Sequence, residues 1–205
     1  MIASLYIGSA DTMALLSGKD TEAFIGLLQR FVSNEIPYYN AKSSPIDALR
    51  TGAILEDQYL KILPDDYYTQ YKVASAEMNV FRASLDFAKL NGGEVVDFDE
   101  LKTCSFDDFL ALQKLGNDYI DFIKKTYKRY YNQIQEQLYC TGLESANLVF
   151  LVVYSYDDNE NYSREIKENE YIKFRISRDN DVIASIKERG KLFQYIKDYF
   201  NSDAI

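Results

Sequence analysis

Residues 84–102, SLDFAKLNGGEVVDFDELK, decide the fold that we predict for this chain. Two apolar-rich stretches flank the pair Gly92-Gly93, and glycine readily adopts the left-handed backbone that a tight hairpin turn needs. We therefore predict an antiparallel β-hairpin. Because residues two apart on a strand project to the same face, Glu100 and Lys102 are expected to point the same way.

The pairing of the two predicted strands depends on the turn. A two-residue Gly92-Gly93 loop would place Leu85 opposite Glu100. A three-residue loop that ends at Glu94, or a bulge, would instead place Asp86 at that position. We predict this second arrangement, because only then do two carboxylates, one from each strand, meet on one face.

The predicted pair would suit a divalent cation. The carboxylates of Asp86 and Glu100, with the backbone carbonyl of Leu101, form a set of hard oxygen donors that Mg²⁺ prefers. Lys102 would lie near the cation, where like charge lowers its pKa and lets it orient or deprotonate a water molecule. The pattern also fits a surface hairpin with scattered charges, since Glu-x-Lys is common in acidic proteins.

Composition bounds the class of protein. The 205 residues suffice for a sizeable core, and we predict a single domain over residues 1–205. Histidine is absent, which excludes histidine-based catalysis and zinc sites that use histidine. No apolar run is long enough to span a membrane, and Met1–Tyr6 lacks the pattern of a signal peptide. With only Cys104 and Cys140, a reduced cytoplasmic protein is expected.

An acid also stands out on an early predicted helix. That helix is expected to begin at Ser44-Pro45 and to run to about Leu63, before Pro64. Glu56 falls on a face of small and apolar residues, and a partly buried acid needs a partner. Glu56 is either a core acid satisfied by N–H groups or a third carboxylate near the metal.

A second predicted helix spans roughly residues 118–139 and carries positive charge. Lys125, Arg129 and Gln133 are spaced four apart on it, so two cations and an amide would share a face. A phosphate-facing stripe and a plain solvated face both fit this pattern. The net charge of −9 argues against binding of nucleic acid by bulk attraction, but local basic stripes and bound cations leave room for a nuclease.

The remaining elements complete an α+β plan. Ala146–Tyr156 is almost continuously apolar and is predicted to be a central strand, with Tyr171–Ser177 as its partner. Asp181–Phe200 is predicted to be an amphipathic helix. The order of elements favours a central mixed β-sheet flanked by helices.

The segment Tyr130–Gly142, YYNQIQEQLYCTG, resembles the YqaJ-like viral recombinase family, the phage lambda-type alkaline exonucleases of the PD-(D/E)xK superfamily. The family pattern is also matched by Gly52-x-x-x-Glu56, Ser84-x-Asp86, Glu100-x-Lys102, the apolar strand after Thr141-Gly142, and Ile176–Asp179 before the last helix. These short motifs follow the family's order over most of the chain. The resemblance implies a restriction-endonuclease-like core.

The resemblance also implies site residues and a cofactor. Mg²⁺ would be bound, as one or two ions, with Mn²⁺ able to substitute. The implied metal ligands are Asp86, Glu100, the Leu101 carbonyl and, beside them, Glu56, while Lys102 would serve the attacking water. The resemblance points to Ser84 and Ser9 as contacts to DNA or phosphate, and the charged stripe described above adds Lys125 and Arg129 as candidates.

A glutamine from the long helix is implied to touch the site or the scissile phosphate. Gln135 begins a Gln-x-x-x-Tyr pattern with Tyr139 like that of RecB-type nucleases, and Gln133 is the alternative. The choice is open on sequence alone. We favour Gln133, which shares its helix face with Arg129.

The chain departs from the family in two places, and its cysteine count excludes one related branch. Leu85 stands where the family has a proline before the first acid. The family's N-terminal segment seats a terminal 5′-phosphate with an arginine and a serine or threonine, and here only Ile7–Asp11, with Ser9, is similar. Two cysteines are too few for the iron–sulfur cluster of some RecB-type relatives.

The leading hypothesis is a Mg²⁺-dependent DNA exonuclease, 5′ to 3′ on double-stranded DNA, serving phage-type recombination in a bacterial host. The resemblance adds a ring-shaped trimer and a single-strand annealing protein as partner. One alternative is an endonuclease of restriction or structure-specific type. Another is a catalytically inactive nuclease-fold binding protein that has kept the acids for structure.

Overall fold

The computed structural model describes residues 5–33 and 44–202. Residues 1–4, part of the segment inspected for a signal peptide, lie outside these ranges. The helices described are α1 (Thr12–Leu15), α2 (Glu22–Ser33), α3 (Asp47–Leu60), α4 (Phe106–Gln113), α5 (Tyr119–Thr126), α6 (Lys128–Thr141), α7 (Asp158–Ser163) and α8 (Asn180–Ser202). The strands are β1 (Ile7–Gly8), β2 (Tyr67–Ala74), β3 (Phe81–Asn91), β4 (Glu94–Cys104), β5 (Ser145–Val152) and β6 (Tyr171–Ser177).

All of these strands belong to one mixed sheet. Its order is β1-β3-β4-β5-β6, with β2 pairing with β3 as well. The pairs β1–β3 and β4–β5 are parallel, and the other pairs are antiparallel. The apolar strand β5 lies between β4 and β6, and β6 has the predicted bounds. The predicted α+β architecture, a central mixed sheet flanked by helices, is confirmed.

Each face of the sheet has its own hydrophobic core. On one face, Phe81 of β3 and Phe150 of β5 are fully buried in a cluster with residues of α2, α6 and α8. On the other face, Phe87 of β3 and Leu101 of β4 pack with Tyr59 of α3. Because helices cover both faces, the middle of the sheet is dry, and polar groups there need partners from within the protein.

Strands β3 and β4 form the predicted hairpin, but with the shorter of the two loops. Gly92 and Gly93 make the turn alone, with φ angles of 61° and 89°. Two successive positive φ angles are typical of a two-residue hairpin loop, and they explain why glycine occupies both positions. The three-residue loop ending at Glu94 is therefore wrong.

A β-bulge restores the register that the site requires. The pairing shifts between Lys89 and Leu90, so that Val96 of β4 is skipped in the ladder. Beyond the bulge the ladder runs to the pair Phe87–Asp99. The next residues on the two strands are the two predicted metal-binding acids, so the predicted bulge, rather than a longer loop, brings them together.

The long helix predicted over residues 118–139 is interrupted. α5 ends at Thr126 and α6 begins at Lys128, with Tyr127 between them at φ −113° and ψ 38°. The Tyr127 ring packs against Phe150, at 4.8 Å between ring centres, so tertiary packing overrides the local helical pattern. Within residues 5–33 and 44–202 no helix is both long and apolar enough to cross a membrane.

Both cysteines are free thiols, as expected. Burial raises the pKa of Cys140, which is 6% exposed, and the charge on Glu136 raises it further. Burial and the nearby Asp108 carboxylate raise the pKa of Cys104 to about 12. Neither sulfur carries a thiolate at neutral pH.

Candidate active site

The candidate site lies where β3 and β4 part. Asp86 and Glu100 directly follow the last paired residues of these strands. Leu85 packs in one core and Phe87 in the other, although residues two apart on a regular strand share a face. The Asp86 carboxylate accepts a hydrogen bond from the amide of Leu101 at 2.9 Å. The Asp86 side chain thus links β3 to β4 at the point where the backbone hydrogen bonds between the two strands end.

Glu100 is the best-anchored residue of the site. It is fully buried, and its Oε1 accepts hydrogen bonds from Lys102 Nζ at 2.5 Å and from Gln133 Nε2 at 2.5 Å. Its Oε2 accepts from Gln137 Nε2 at 2.6 Å. A buried carboxylate needs such donors to offset the loss of hydration. The arrangement fixes the position and orientation of Glu100 between a strand and α6.

Asp86 lies in a negative environment. Burial raises its pKa well above the ordinary value, and the neighbouring Glu100 raises it further. Lys102 opposes this effect, while Glu56 adds to it. Carboxylates brought this close repel each other, and added positive charge would stabilise them.

Lys102 is held as a cation by its acidic neighbours. Burial lowers its pKa, but Glu100 and Asp86 outweigh this effect and raise the pKa above its usual value. The ammonium also lies 5.3 Å from the centre of the Tyr130 ring. The lowered pKa of Lys102 was predicted for the protein with a metal ion bound beside it, and it stays a prediction.

Glu56 reaches the same region from α3. Its Oε2 lies 3.5 Å from Nε2 of Gln70 on β2, and the Gln70 Oε1 accepts a hydrogen bond from Ser84 Oγ at 3.1 Å. A polar chain therefore links Glu56, Gln70 and Ser84 beside Asp86. The charge on Glu56 acts on Asp86, and the role of Glu56 as a third metal ligand stays a prediction.

Gln70 was not singled out from the sequence, and its backbone is unusual. It is the one non-glycine residue with positive φ, 50°, in the described part of the chain. In the β2–β3 ladder Thr69 pairs with Phe87 and Tyr71 with Leu85, so the skipped pair is Gln70 with Asp86. A left-handed glutamine in a strand is strained, and such strain is concentrated at functional sites.

The glutamines of α6 divide between two tasks. Gln133 and Gln137 both bind Glu100, and Gln137 also donates to the Ser84 carbonyl at 3.1 Å. Gln135 instead binds the Ser177 carbonyl and accepts from the amide of Asp179 at 2.7 Å. The structure therefore places Gln133, not Gln135, at the site. Gln137, which the sequence reasoning missed, follows Gln133 by four residues and so shares its helix face.

The other predicted contacts to phosphate lie on different elements. Ser9 lies in a short 3₁₀ turn and is only 6% exposed. Lys125 and Arg129 are exposed, but they lie on α5 and α6, on either side of the break at Tyr127. The prediction that one continuous helix carries Lys125 and Arg129 is therefore wrong, although Arg129 still lies one turn before Gln133 on α6. Ser84 alone of the four lies among the site acids.

The oxygen atoms of the site residues decide whether a divalent cation fits there. Among residues 5–33 and 44–202, no group of three or more acidic or cysteine side chains is assembled to hold a metal ion. Asp86 and Glu100 nevertheless supply carboxylate oxygens, the ligands that Mg²⁺ prefers. Burial is the main cause of the raised pKa of Asp86, and Glu100 and Glu56 add to it, so a nearby positive charge would stabilise the ionised carboxylate. The residues present therefore fit such an ion.

No protein-family model matches the sequence, and no curated protein matches it significantly. Solved structures do match. The alkaline exonuclease LHK-Exo from Laribacter hongkongensis superposes with a TM-score of 0.64 at 19% identity, over 98% of this chain and 95% of that chain. Its complex with dAMP gives 0.62 at 18% identity, over 98% and 94%.

A phage-related exonuclease from Haemophilus somnus 129PT has a TM-score of 0.61 at 15% identity, over 100% of this chain and 98% of that chain. At these identities the similarity establishes a shared fold. It extends over nearly the full length of each protein. The fold that the motif resemblance implied is therefore confirmed.

Proposed function

We propose that this protein is a Mg²⁺-dependent DNA exonuclease that hydrolyses phosphodiester bonds of double-stranded DNA from the 5′ end. The observation that carries the proposal is that Asp86 and Glu100 directly follow the last paired residues of β3 and β4, with Lys102 bound to Glu100. The fold shared with alkaline and phage-related exonucleases supports it.

The metal would be held by Asp86, Glu100, the Leu101 carbonyl and Glu56, and Mn²⁺ would substitute for Mg²⁺. When bound, the ion lowers the pKa of a water molecule and stabilises charge on the phosphate. Lys102 Nζ, held as a cation by Glu100, would orient that water by donating a hydrogen bond to it. Gln133 and Ser84 position the metal ligands and the phosphate-bearing strand.

Two substitutions test the assignment. Asp86→Ala removes a metal ligand and Lys102→Ala removes the group that serves the water, so each is expected to abolish hydrolysis of linear duplex DNA. The rate should fall by more than about 100-fold, the usual effect of removing such a group. The measurement is release of acid-soluble nucleotide with Mg²⁺, with a chelator as the metal-free arm.

Glu94→Ala is the matched control, since it removes an exposed acid of the same hairpin at the far end from the site. It should leave the rate unchanged, and circular dichroism should show all three variants folded. Undiminished hydrolysis by a folded Asp86→Ala or Lys102→Ala protein would refute the proposal.

An endonuclease is the second candidate, and the burial of Ser9 favours it. At 6% exposure, the Ser9 side chain is poorly placed to receive a terminal phosphate. Linear duplex DNA with and without a 5′-phosphate, beside covalently closed circular DNA, separates the candidates. Digestion of the closed circle supports the endonuclease, whereas a strict need for a 5′ end supports the exonuclease.

The biological setting is part of the same proposal. We infer a role in phage-type recombination, with a single-strand annealing protein as partner and a trimer as the assembled form. These features come from the motif resemblance. Sedimentation with and without DNA would test the trimer.

A further inference from the structure

The outward face of β2 and β3 beside the site carries positive charge in a protein of net charge −9. Along β3 the inward residues Phe81, Ala83 and Leu85 are fully buried. The alternating residues Arg82 and Ser84 point outward. This outward face therefore extends from the site toward the start of β3.

The strand register continues the face onto β2. Lys72 pairs with Ser84, and Ala74 pairs with Arg82. Directly opposed residues of an antiparallel pair share a face, so Lys72 lies beside Ser84, which is already bound to Gln70 at the site. Arg82 lies one same-face step further along β3, at roughly 6.7 Å.

Two contacts hold the far end of this face in place. The guanidinium of Arg82 lies 4.7 Å from the centre of the Tyr6 ring, which pre-orients a flexible side chain. Lys197 belongs to α8, which packs on the inward face, but it reaches the same end of β3 and donates to the carbonyl of Asn79 at 2.6 Å, just before β3 begins. We name Lys72, Arg82 and Lys197 the basic strip.

The basic strip lacks acidic partners. Within residues 5–33 and 44–202, no salt bridge involves any of its three members, whereas Lys187, nearby on α8, is paired with Glu77. Burial lowers the pKa of Lys197, and the charge on Arg82 lowers it further. The neighbouring Asp198 opposes this lowering but does not cancel it, so the two cations still repel each other, and a bound anion would relieve that repulsion.

We propose that the basic strip binds the backbone phosphates of the DNA strand that leads to the carboxylate site. This inference rests on the proposed nuclease function and extends it from the reacting phosphate to its neighbours. Phosphate contacts from Lys and Arg position a strand without reading its bases, which suits an enzyme that acts on DNA of any sequence. The rest of the acidic surface repels DNA, so the strip also restricts the approach to one face.

Salt-dependent binding tests the strip apart from catalysis. Lys72→Ala, Arg82→Ala, Lys197→Ala and the triple variant would be titrated against fluorescent duplex DNA in a chelator, which prevents metal-dependent hydrolysis. Removing one phosphate-binding side chain should reduce the slope of log K against log salt by about 0.9, hence by about 2.7 in the triple variant. Affinity at low salt should fall in every variant.

Lys114→Ala is the matched control, because Lys114 is an exposed lysine of another surface at the end of α4. It removes the same charge and should leave the slope unchanged. Arg82→Lys keeps the charge and removes the planar group above Tyr6. It should retain most of the slope, so a folding defect in Arg82→Ala cannot decide the outcome.

The inference would be overturned if the triple variant kept the wild-type slope of log K against log salt, or if its slope fell only as much as that of Lys114→Ala. Failure of the proposed function has a different signature, namely no hydrolysis by the wild-type protein with Mg²⁺. Wild-type hydrolysis together with unchanged binding in the triple variant refutes the strip alone.

Discussion

Glu136 is a buried acid for which the proposed chemistry has no use. It is fully buried on α6, its Oε1 accepts only from Cys140 Sγ at 3.4 Å, and its Oε2 has no partner among the described residues. Burial raises its pKa to about 8, and the charges on Asp11 and Glu100 add to the shift. At neutral pH the carboxyl is therefore held in its neutral form.

Glu136 should make the protein less stable as the pH rises. In the unfolded chain the carboxyl loses its proton near its ordinary pKa of about 4.3, whereas the folded protein keeps the proton until about pH 8. Stability falls across that window by up to about 1.4 kcal/mol per pH unit and levels off above it. Glu136→Gln should remove this component.

Urea unfolding at pH 5 and pH 8.5 measures the effect. The Gln variant should be close to wild type at pH 5 and more stable at pH 8.5. Equal pH dependence in the two proteins would show that Glu136 ionises normally in the fold.

Candidate site residues that follow a regular period could be predicted from the sequence, whereas those that depend on irregular backbone could not. Gln137 was within reach, because it lies one helical turn beyond Gln133. Gln70 carries no such signal, since its place opposite Asp86 depends on a left-handed residue within β2. The sequence left two possible roles for Glu56. It could not decide between them, because the contact between α3 and β2 is set by tertiary packing.

At the scale of elements, the hairpin turn is separated from the site by five residues of β3. Gly92 and Gly93 both have positive φ, and a Cβ atom added at either position would meet no atom within 4 Å. Gly92→Ala and Gly93→Ala should each destabilise the protein by about 1 kcal/mol, the cost of left-handed backbone for an L-residue. Hydrolysis per folded molecule should not change.

Gly26→Ala in α2 is the contrasting control. A methyl group there meets only Arg30 Nη1, at an ordinary 3.7 Å, and Gly26 has no positive φ. Alanine is favoured over glycine inside a helix, so this variant should be stabilised by roughly 0.5–1 kcal/mol. Chemical denaturation of the three proteins gives the comparison, and destabilisation of all three alike would contradict the argument.

The hairpin also shows what a sequence pattern can fix at this scale. Placing Asp86 opposite Glu100 required either a three-residue loop or a β-bulge, and the sequence was compatible with both. The choice between the loop and the bulge depended on backbone twist and on strand-pairing energies, which cannot be read from the residue types. The break at Tyr127 has the same origin, because helical spacing continues through a residue whose ring is drawn to Phe150.

At the scale of the whole molecule, a buried ion pair joins neighbouring strands on the face of β4 opposite to the side chain of Glu100. Asp99 of β4 is fully buried and accepts from Lys173 Nζ at 2.6 Å, from Asn147 Nδ2 at 2.7 Å and from Tyr59 OH at 2.8 Å. These donors come from β6, β5 and α3. A single carboxylate thus joins three strands and a helix, one residue before Glu100.

Lys173→Ala should therefore destabilise the protein more than a surface pair would suggest. It leaves Asp99 charged and buried with neutral donors only, which costs about 2 kcal/mol after allowance for the 34% exposure of the lysine side chain. Arg175→Ala is the matched comparison on the same strand, since the Arg175 side chain is 45% exposed and pairs with Asp97. Its cost should be below about 1 kcal/mol, and urea unfolding would rank the two.

The two inert sulfurs described above make the protein convenient for optical work. Thiol-reactive dyes attack the thiolate, and neither native sulfur forms one near neutral pH. Thr69→Cys on the exposed strand β2 would then accept a single fluorophore close to the acids, with no need to remove Cys104 or Cys140 first. Arrival and departure of a nucleic acid could be timed directly from the brightness of that one label.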